Sequence, residues 1–498
     1  MELLDKVYQS TQEYIEKMPK EQRKKYGQFF TSKEIAVFMS GLFAIPENKT
    51  KLTVLDPGTG SSILSAALIE RLVENGIQSV HLVCYETDVN ITELLQSNLE
   101  YIKANGSIDV SYEIRNENYI TSQKCEYNHY LGADDAPTKY DIVILNPPYK
   151  KIAKNAPEAL AMPDVCYGAP NLYFLFMQMA LFNLKDNAEM VAIIPRSWTS
   201  GAYFEHFRQR FLTECRIRHI HLFISRDKVF ENESVLQETL IIKVVKSQKV
   251  TENITMTTSN SNKDFDNITT FTAPYNTVVS GENYYVYLVT NEDEIEVITQ
   301  LSKWNDTLPT LGLKMKTGLT VDFRNKEVLR NTEEQSAVPL FYSQHIQSGR
   351  VIFPIGKENE YIVTDQAGLL QKNKNYLFVK RFTAKEEHRR LQCGVYLSRK
   401  FSAYSLISTQ NKVNFIDGAT EISECVVFGL YVIFNSTFYD CYYRILNGST
   451  QVNSTEVNSM PMPPMNIIEA MGKQLIAVRD LSENSCDTIL RSYLRTST

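Results

Sequence analysis

Residues 51–88 read KLTVLDPGTGSSILSAALIERLVENGIQSVHLVCYETD. The opening KLTVLDPG is a short apolar run closed by a turn, the signature of a buried strand. Residues 61–76 carry apolar side chains at helical spacing and end on Gly76, which predicts a helix with a glycine stop. Residues 79–88 then return to a short apolar run ending in acids. Strand, helix and strand in so few residues predict a parallel crossover unit.

The alternation continues outward from that unit. Residues 90–106 predict a helix, 110–120 a strand, 140–149 a strand, 171–185 a helix and 189–198 a strand. Residues 204–215 add a helix, and 217–225 and 236–246 add late strands. The fold class is therefore α/β, a doubly wound Rossmann-like sheet with helices on both faces. From Thr251 to Asn267 the chain turns polar (TENITMTTSNSNKDFDN), which reads as a loop or linker. The expected division is 1–250 as one domain, 251–300 as a linker region and 301–498 as a C-terminal mixed α/β domain. In that last part, residues 340–346, 361–366, 375–382 and 413–417 predict short strands, and 431–447 a helix.

Composition limits the classes open to the chain. Its 498 residues, 43% hydrophobic, can fill two cores. A formal net charge of −6 excludes nucleic-acid binding through overall positive charge, so any phosphate contact is local. Residues 371–400 are the candidate, with Lys372, Lys374, Lys380, Arg381, Lys385, Arg389, Arg390, Arg399 and Lys400 against only Glu386 and Glu387. Lys380, Arg381, Arg389 and Arg390 are the expected DNA-binding residues, and 344–350 (QHIQSGR) a second candidate for base contact. The eight cysteines show no C-x-x-C pair or zinc-ligand spacing, so reduced thiols and no bound metal are expected. The N-terminal residues lack the apolar core of a signal peptide, and no run approaches 18 apolar residues, so the expected location is cytoplasmic.

Three short motifs carry chemistry. Asp56-Pro57-Gly58-Thr59-Gly60 lies between a strand and a helix, where glycines let backbone approach a ligand; it is not the G-x-G-x-x-G of dinucleotide sites. Glu86, at the end of the second strand, is placed to accept hydrogen bonds from a ribose diol. The two together indicate an adenosine-containing ligand. Asn146-Pro147-Pro148-Tyr149 closes the fourth strand, where two prolines end the ladder and aim the Asn amide into a cleft. An adenine amino nitrogen is a poor nucleophile because its lone pair is delocalised into the ring. If the Asn146 side-chain oxygen and the Pro147 carbonyl accept its two hydrogens, that lone pair is freed toward a sulfonium methyl. Tyr149 is placed to stack on the base.

In this order the motifs resemble those of the γ-class N6-adenine DNA methyltransferases of restriction-modification systems, of the BsuBI/PstI-like or TaqI-like kind. The resemblance implies S-adenosylmethionine as cofactor, double-stranded DNA as substrate, eversion of the target base and a C-terminal target-recognition domain. It implies that Gln28, Phe30 and Thr31, in KYGQFFT, contact the methionine end of the cofactor, with Asp56, Gly58, Gly60 and Glu86 around the rest. It also implies that Asn118-Tyr119 stand where the family has Asp-Phe, with the Asn118 amide oxygen accepting from the cofactor's adenine amino group. Phe230 resembles the aromatic that faces the everted base opposite Tyr149. Residues 447–456 (NGSTQVNSTE) resemble a segment of longer members, structural or DNA-contacting. The rival readings are RNA or protein-glutamine N-methylation, cytosine-N4 methylation, and a non-enzymatic DNA specificity subunit. No P-D…E-x-K nuclease pattern is present, so any restriction endonuclease is expected as a separate protein.

Overall fold

The computed structural model describes residues 2–17, 30–128, 138–224, 239–384, 386–447 and 450–496. It divides into two compact units, Met1–Thr290 and Asn291–Thr498.

The first unit is built on one nine-stranded sheet in the order β3-β2-β1-β4-β5-β7-β6-β8-β9. Its strands are β1 (Lys51–Pro57), β2 (Ser79–Tyr85), β3 (Asp109–Arg115), β4 (Tyr140–Leu145), β5 (Leu184–Pro195), β6 (Arg216–Phe223), β7 (Thr239–Val245), β8 (Asn253–Ser259) and β9 (Thr269–Pro274). Strands β1 to β5 run parallel, and β7 lies antiparallel between β5 and β6. The strand order reverses between β1 and β4, each of which leads into a motif. That reversal opens a crevice at the carboxyl edge of the sheet, the place where such sheets bind ligands.

Local sequence explains the elements around the crevice. The helix Ile63–Glu74 buries Ile63, Leu64, Leu68 and Leu72. The helix Val89–Asn105 starts at Asp88, whose carboxylate accepts from Asn90 N at 3.0 Å and satisfies a first-turn donor. Leu172–Asn183 (LYFLFMQMALFN) is apolar all round and buried at nearly every position, as a helix covered on both sides must be.

Two expectations are corrected. The stretch 251–300 is not a linker: β8 and β9 within it extend the sheet, and the units divide at Thr290/Asn291. NITMTTS reads as polar, yet Ile254 and Met256 alternate into the core and threonine is a strong strand former. The strand expected over 110–120 stops at Arg115, because the Asn118 side chain caps a short helix, Tyr119–Ser122.

Beside β8, His221 is fully buried between the rings of Phe38, Phe223 and Phe265. Thr257 Oγ1 lies 2.9 Å from its Nδ1 and Ser259 Oγ 3.1 Å from its Nε2. Burial, with His219 nearby, holds its pKa down at about 3. A depressed folded-state pKa means that the unfolded chain binds the extra proton first. The stabilisation is present above the ordinary pKa of about 6.5 and is lost as pH falls toward the folded value. Urea unfolding between pH 6 and 4.5 should therefore show a slope shallower by about 1.4 kcal/mol per pH unit in His221→Gln than in the parent chain. Equal slopes would show that His221 does not titrate on unfolding.

The second unit pairs a six-stranded with a five-stranded sheet. Their strands are short, and an aromatic core of Phe341, Tyr376, Phe378, Tyr396 and Phe415 lies within the unit. The helix expected over 431–447 is two helices, Glu424–Phe434 and Thr437–Leu446, because Ser436 caps the second. Glu424–Phe434 also crosses Met465–Val478 at glycine contacts. A Cβ on Gly429 would lie 1.9 Å from Ile468 O, and one on Gly472 1.8 Å from Cys425 O, so only glycine fits at either position.

Candidate functional site

The carboxyl ends of β1, β2 and β4 converge on a cavity of about 260 Å³. After β1 the chain turns through Gly58 (φ 76°) and Gly60 (φ 59°), in the left-handed region that glycine tolerates best. The turn is tied to β2 by Gly58 N and Thr59 N, both donating to Tyr85 O at 2.9 and 3.0 Å. A Cβ on Gly58 would meet Phe176 at 3.5 Å and Pro148 at 3.7 Å, so the loop, the apolar helix and the proline turn enclose one space.

Glu86 stands at the end of β2, 9% exposed. Its Oε2 accepts from Gly60 N at 2.9 Å, and its Oε1 from Thr87 N at 2.8 Å and Asp88 N at 2.9 Å. Burial pushes its carboxyl upward while these backbone donors pull against the rise. Asp56, beneath the loop, accepts from Ser65 Oγ at 2.6 Å. Its Oδ1 is buried without a hydrogen-bond partner among the described residues. Burial raises its pKa to about 7.

At the end of β4, Asn146 Nδ2 donates to Thr31 Oγ1 at 3.1 Å. Tyr149 Oη lies 2.9 Å from Asn146 Oδ1 and 3.0 Å from Ile193 O, and burial keeps its phenol protonated. The amide is thus held from both ends.

The cavity brings together Phe30, Thr31, Gly58, Gly60, Glu86, Asn118, Tyr119, Asn146, Pro147 and Pro148. Asp56 sits behind the loop. Tyr149 does not line the cavity: its hydroxyl turns inward to Asn146, and its ring packs on the core and edge-on to Tyr173. Gln28 and Phe230 lie outside the described residues. Glu158, from the short helix Pro157–Ala161, and Phe176 line the cavity without having been read from the sequence. Phe176 was hidden in an all-apolar helix, and Glu158 in a segment with no motif.

These residues fit an adenosyl sulfonium ligand. Glu86 offers an acceptor to a diol, Phe176 and Tyr119 an apolar wall, and the glycine loop room for close approach.

Comparison with known proteins agrees. M.PstI of Providencia stuartii, a type II methyltransferase, is 32% identical over 95% of this chain and 94% of its own length. M.BsuBI of Bacillus subtilis, another, is 33% identical over 94% of each. This chain belongs to their family, the type II DNA methyltransferases of restriction-modification systems. Residues 65–230 also match the Eco57I restriction-modification methylase family. The type IIL restriction-modification enzyme MmeI, solved in complex with DNA, shares the fold at a TM-score of 0.53 and 12% identity, over 98% of this chain and 73% of that one.

In the second unit of this methyltransferase the expected phosphate cluster is corrected. Arg390 is fully buried and Arg389 is 8% exposed. Arg390 reaches Thr383 Oγ1 and Asn447 Oδ1, and Arg389 reaches Asn435 O and Glu483. Neither side chain faces solvent, so neither meets a phosphate. Lys380 and Arg381 remain partly exposed, Arg381 donating to Asn411 O at 3.0 Å. In the 447–456 segment Asn447 joins Arg390 to Glu456, which gives these two residues partners inside the fold. Within 344–350, His345 is buried against Glu360, while Gln347 and Arg350 are exposed on a tight hairpin. Among the described residues no helix is long and apolar enough to cross a membrane, and no acid, His and Cys cluster could hold a metal.

Proposed function

We propose that this DNA methyltransferase methylates the N6 of adenine in a short duplex sequence, with S-adenosylmethionine as donor. The observation that carries the reading is the Asn146-Pro147-Pro148-Tyr149 turn, held on the edge of a cavity whose other walls are the glycine loop and Glu86. When bound, S-adenosylmethionine supplies a methyl group on a sulfonium sulfur. The protein's part is positioning. Thr31 and Tyr149 fix the Asn146 amide, and its oxygen is assigned one amino hydrogen of the base. The Pro147 carbonyl takes the other. No strong base is required, because the amino proton becomes acidic only as the N–C bond forms. Asparagine at the head of the turn favours adenine over cytosine.

Reaching N6 inside a duplex requires eversion of the base, at a cost of a few kcal/mol. Stacking on Tyr149 and Phe230, at roughly 1–3 kcal/mol per base, offsets much of it. Sequence choice belongs to the second unit, with the exposed Gln347 and Arg350, and with Lys380 and Arg381 on phosphates. The enzyme would act in the cytoplasm, beside a separate endonuclease. Single-molecule sequencing of DNA from a methylation-free host expressing the chain is the test. N6-methyladenine in one short motif is expected; unmodified DNA with soluble protein present would overturn the reading.

A further inference from the structure

The resemblance assigns the adenine amino group of the cofactor to the residue after β3, an acid in the family and Asn118 here. The structure commits the Asn118 oxygen elsewhere. Asn118 Oδ1 accepts from Ile120 N and Thr121 N, both at 3.1 Å, which uses both of its lone pairs to cap the helix Tyr119–Ser122. What Asn118 has left is its amide N–H, and Nδ2 donates to Glu158 Oε1 at 2.8 Å. Glu158 comes from the short helix Pro157–Ala161, which follows the Asn146–Tyr149 turn, and lines the same cavity as Glu86, Tyr119 and Phe176. It is half-buried, and its Oε2 takes no hydrogen bond among the described residues. Asn118, which stands where the family has an acid, therefore orients a carboxylate on the wall of the same cavity.

We propose that Glu158, oriented by Asn118, is the group that reads the purine 6-amino position of the cofactor. A carboxylate there accepts from an exocyclic amine and repels a 6-oxo group. The site thus selects an adenosyl over an inosyl ligand, and Asn118 is a positioning residue. Glu117, an exposed acid that also lines the cavity, is the rival acceptor. The proposal rests on the S-adenosylmethionine reading above.

The test is calorimetric binding of S-adenosylhomocysteine and S-inosylhomocysteine to the full chain and to Glu158→Ala, Glu158→Gln and Glu117→Gln. A hydrogen bond to a charged group changes affinity by about 10–100-fold. The parent chain should prefer the adenosyl ligand by that factor. Glu158→Ala should lose about tenfold or more for the adenosyl ligand and little or nothing for the inosyl one. Glu158→Gln, whose amide can donate to a 6-oxo oxygen, should narrow or invert the preference, and Glu117→Gln should leave it intact. Equal losses for both ligands in the Glu158 variants, or a preference that moves with Glu117, would overturn the proposal. A parent chain that binds both ligands equally would overturn it too, while leaving the cofactor reading standing. A parent chain that binds neither would overturn that reading and this proposal with it.

Discussion

Asn146→Ala is expected to lower the rate of methyl transfer by about 10³-fold, the scale seen when one fixed transition-state hydrogen-bonding group is removed. The same change should leave the S-adenosylmethionine Kd within about threefold, because the amide is assigned to the base and its interaction grows as the nitrogen changes geometry. The structure adds a graded series. Asn146→Asp keeps an acceptor oxygen but loses the Nδ2 that donates to Thr31 Oγ1. Tyr149→Phe removes the hydroxyl bonded to Asn146 Oδ1 while keeping a ring. Tyr149→Phe should cost about tenfold if the hydroxyl only fixes the amide, a hydrogen bond of ordinary net worth. Single-turnover kinetics on a duplex carrying the recognised motif, with cofactor affinity measured separately, would decide. A loss under about tenfold in Asn146→Ala would reject the amide as the group that activates the amino nitrogen.

Much of this site was legible because the residues that build it also break the sheet pattern. Gly58, Gly60 and Pro147 interrupt apolar runs, and such interruptions at strand ends are where parallel sheets bind ligands. What sequence could not supply was the destination of side chains. The Tyr149 hydroxyl, whose place no motif tells, has two acceptors behind the turn. Asn118 stands where the resemblance implies an acceptor toward the ligand, yet the helix that begins beside it consumes that oxygen. The threonines of β8 conceal it, because polarity there does not mean solvent exposure: Thr257 lies within hydrogen-bond distance of His219 and of the buried His221. In the second unit several strands are only two residues long, too short for any period to show.

Arg390 marks the same limit most sharply, since charge counted along the chain carries no information about burial. Its Nε donates to Thr383 Oγ1 at 3.2 Å and one guanidinium nitrogen to Asn447 Oδ1 at 3.4 Å. The guanidinium also lies 5.7 Å from the centre of the Tyr443 ring. Asn447 in turn donates to the buried carboxylate of Glu456. The backbone N–H groups of Arg390 and Leu391 both donate to Asp440, which pairs with Arg444 at 2.7 Å. Removing the guanidinium deletes its hydrogen bonds to Thr383 and Asn447 from a buried network, and such losses cost about 1–3 kcal/mol. Arg390→Ala should therefore lower the urea stability of the chain by about that amount, with hydrogen exchange rising first in Thr437–Leu446. Arg390→Lys keeps the charge but not the planar fork, and should recover only part of the loss. The discriminating measurement is the salt dependence of DNA affinity at a temperature where the variant stays folded. A phosphate contact would lower the slope by about one unit when removed, whereas a buried structural arginine leaves it unchanged. A lowered slope with unaltered stability would return Arg390 to the DNA interface and overturn the burial argument.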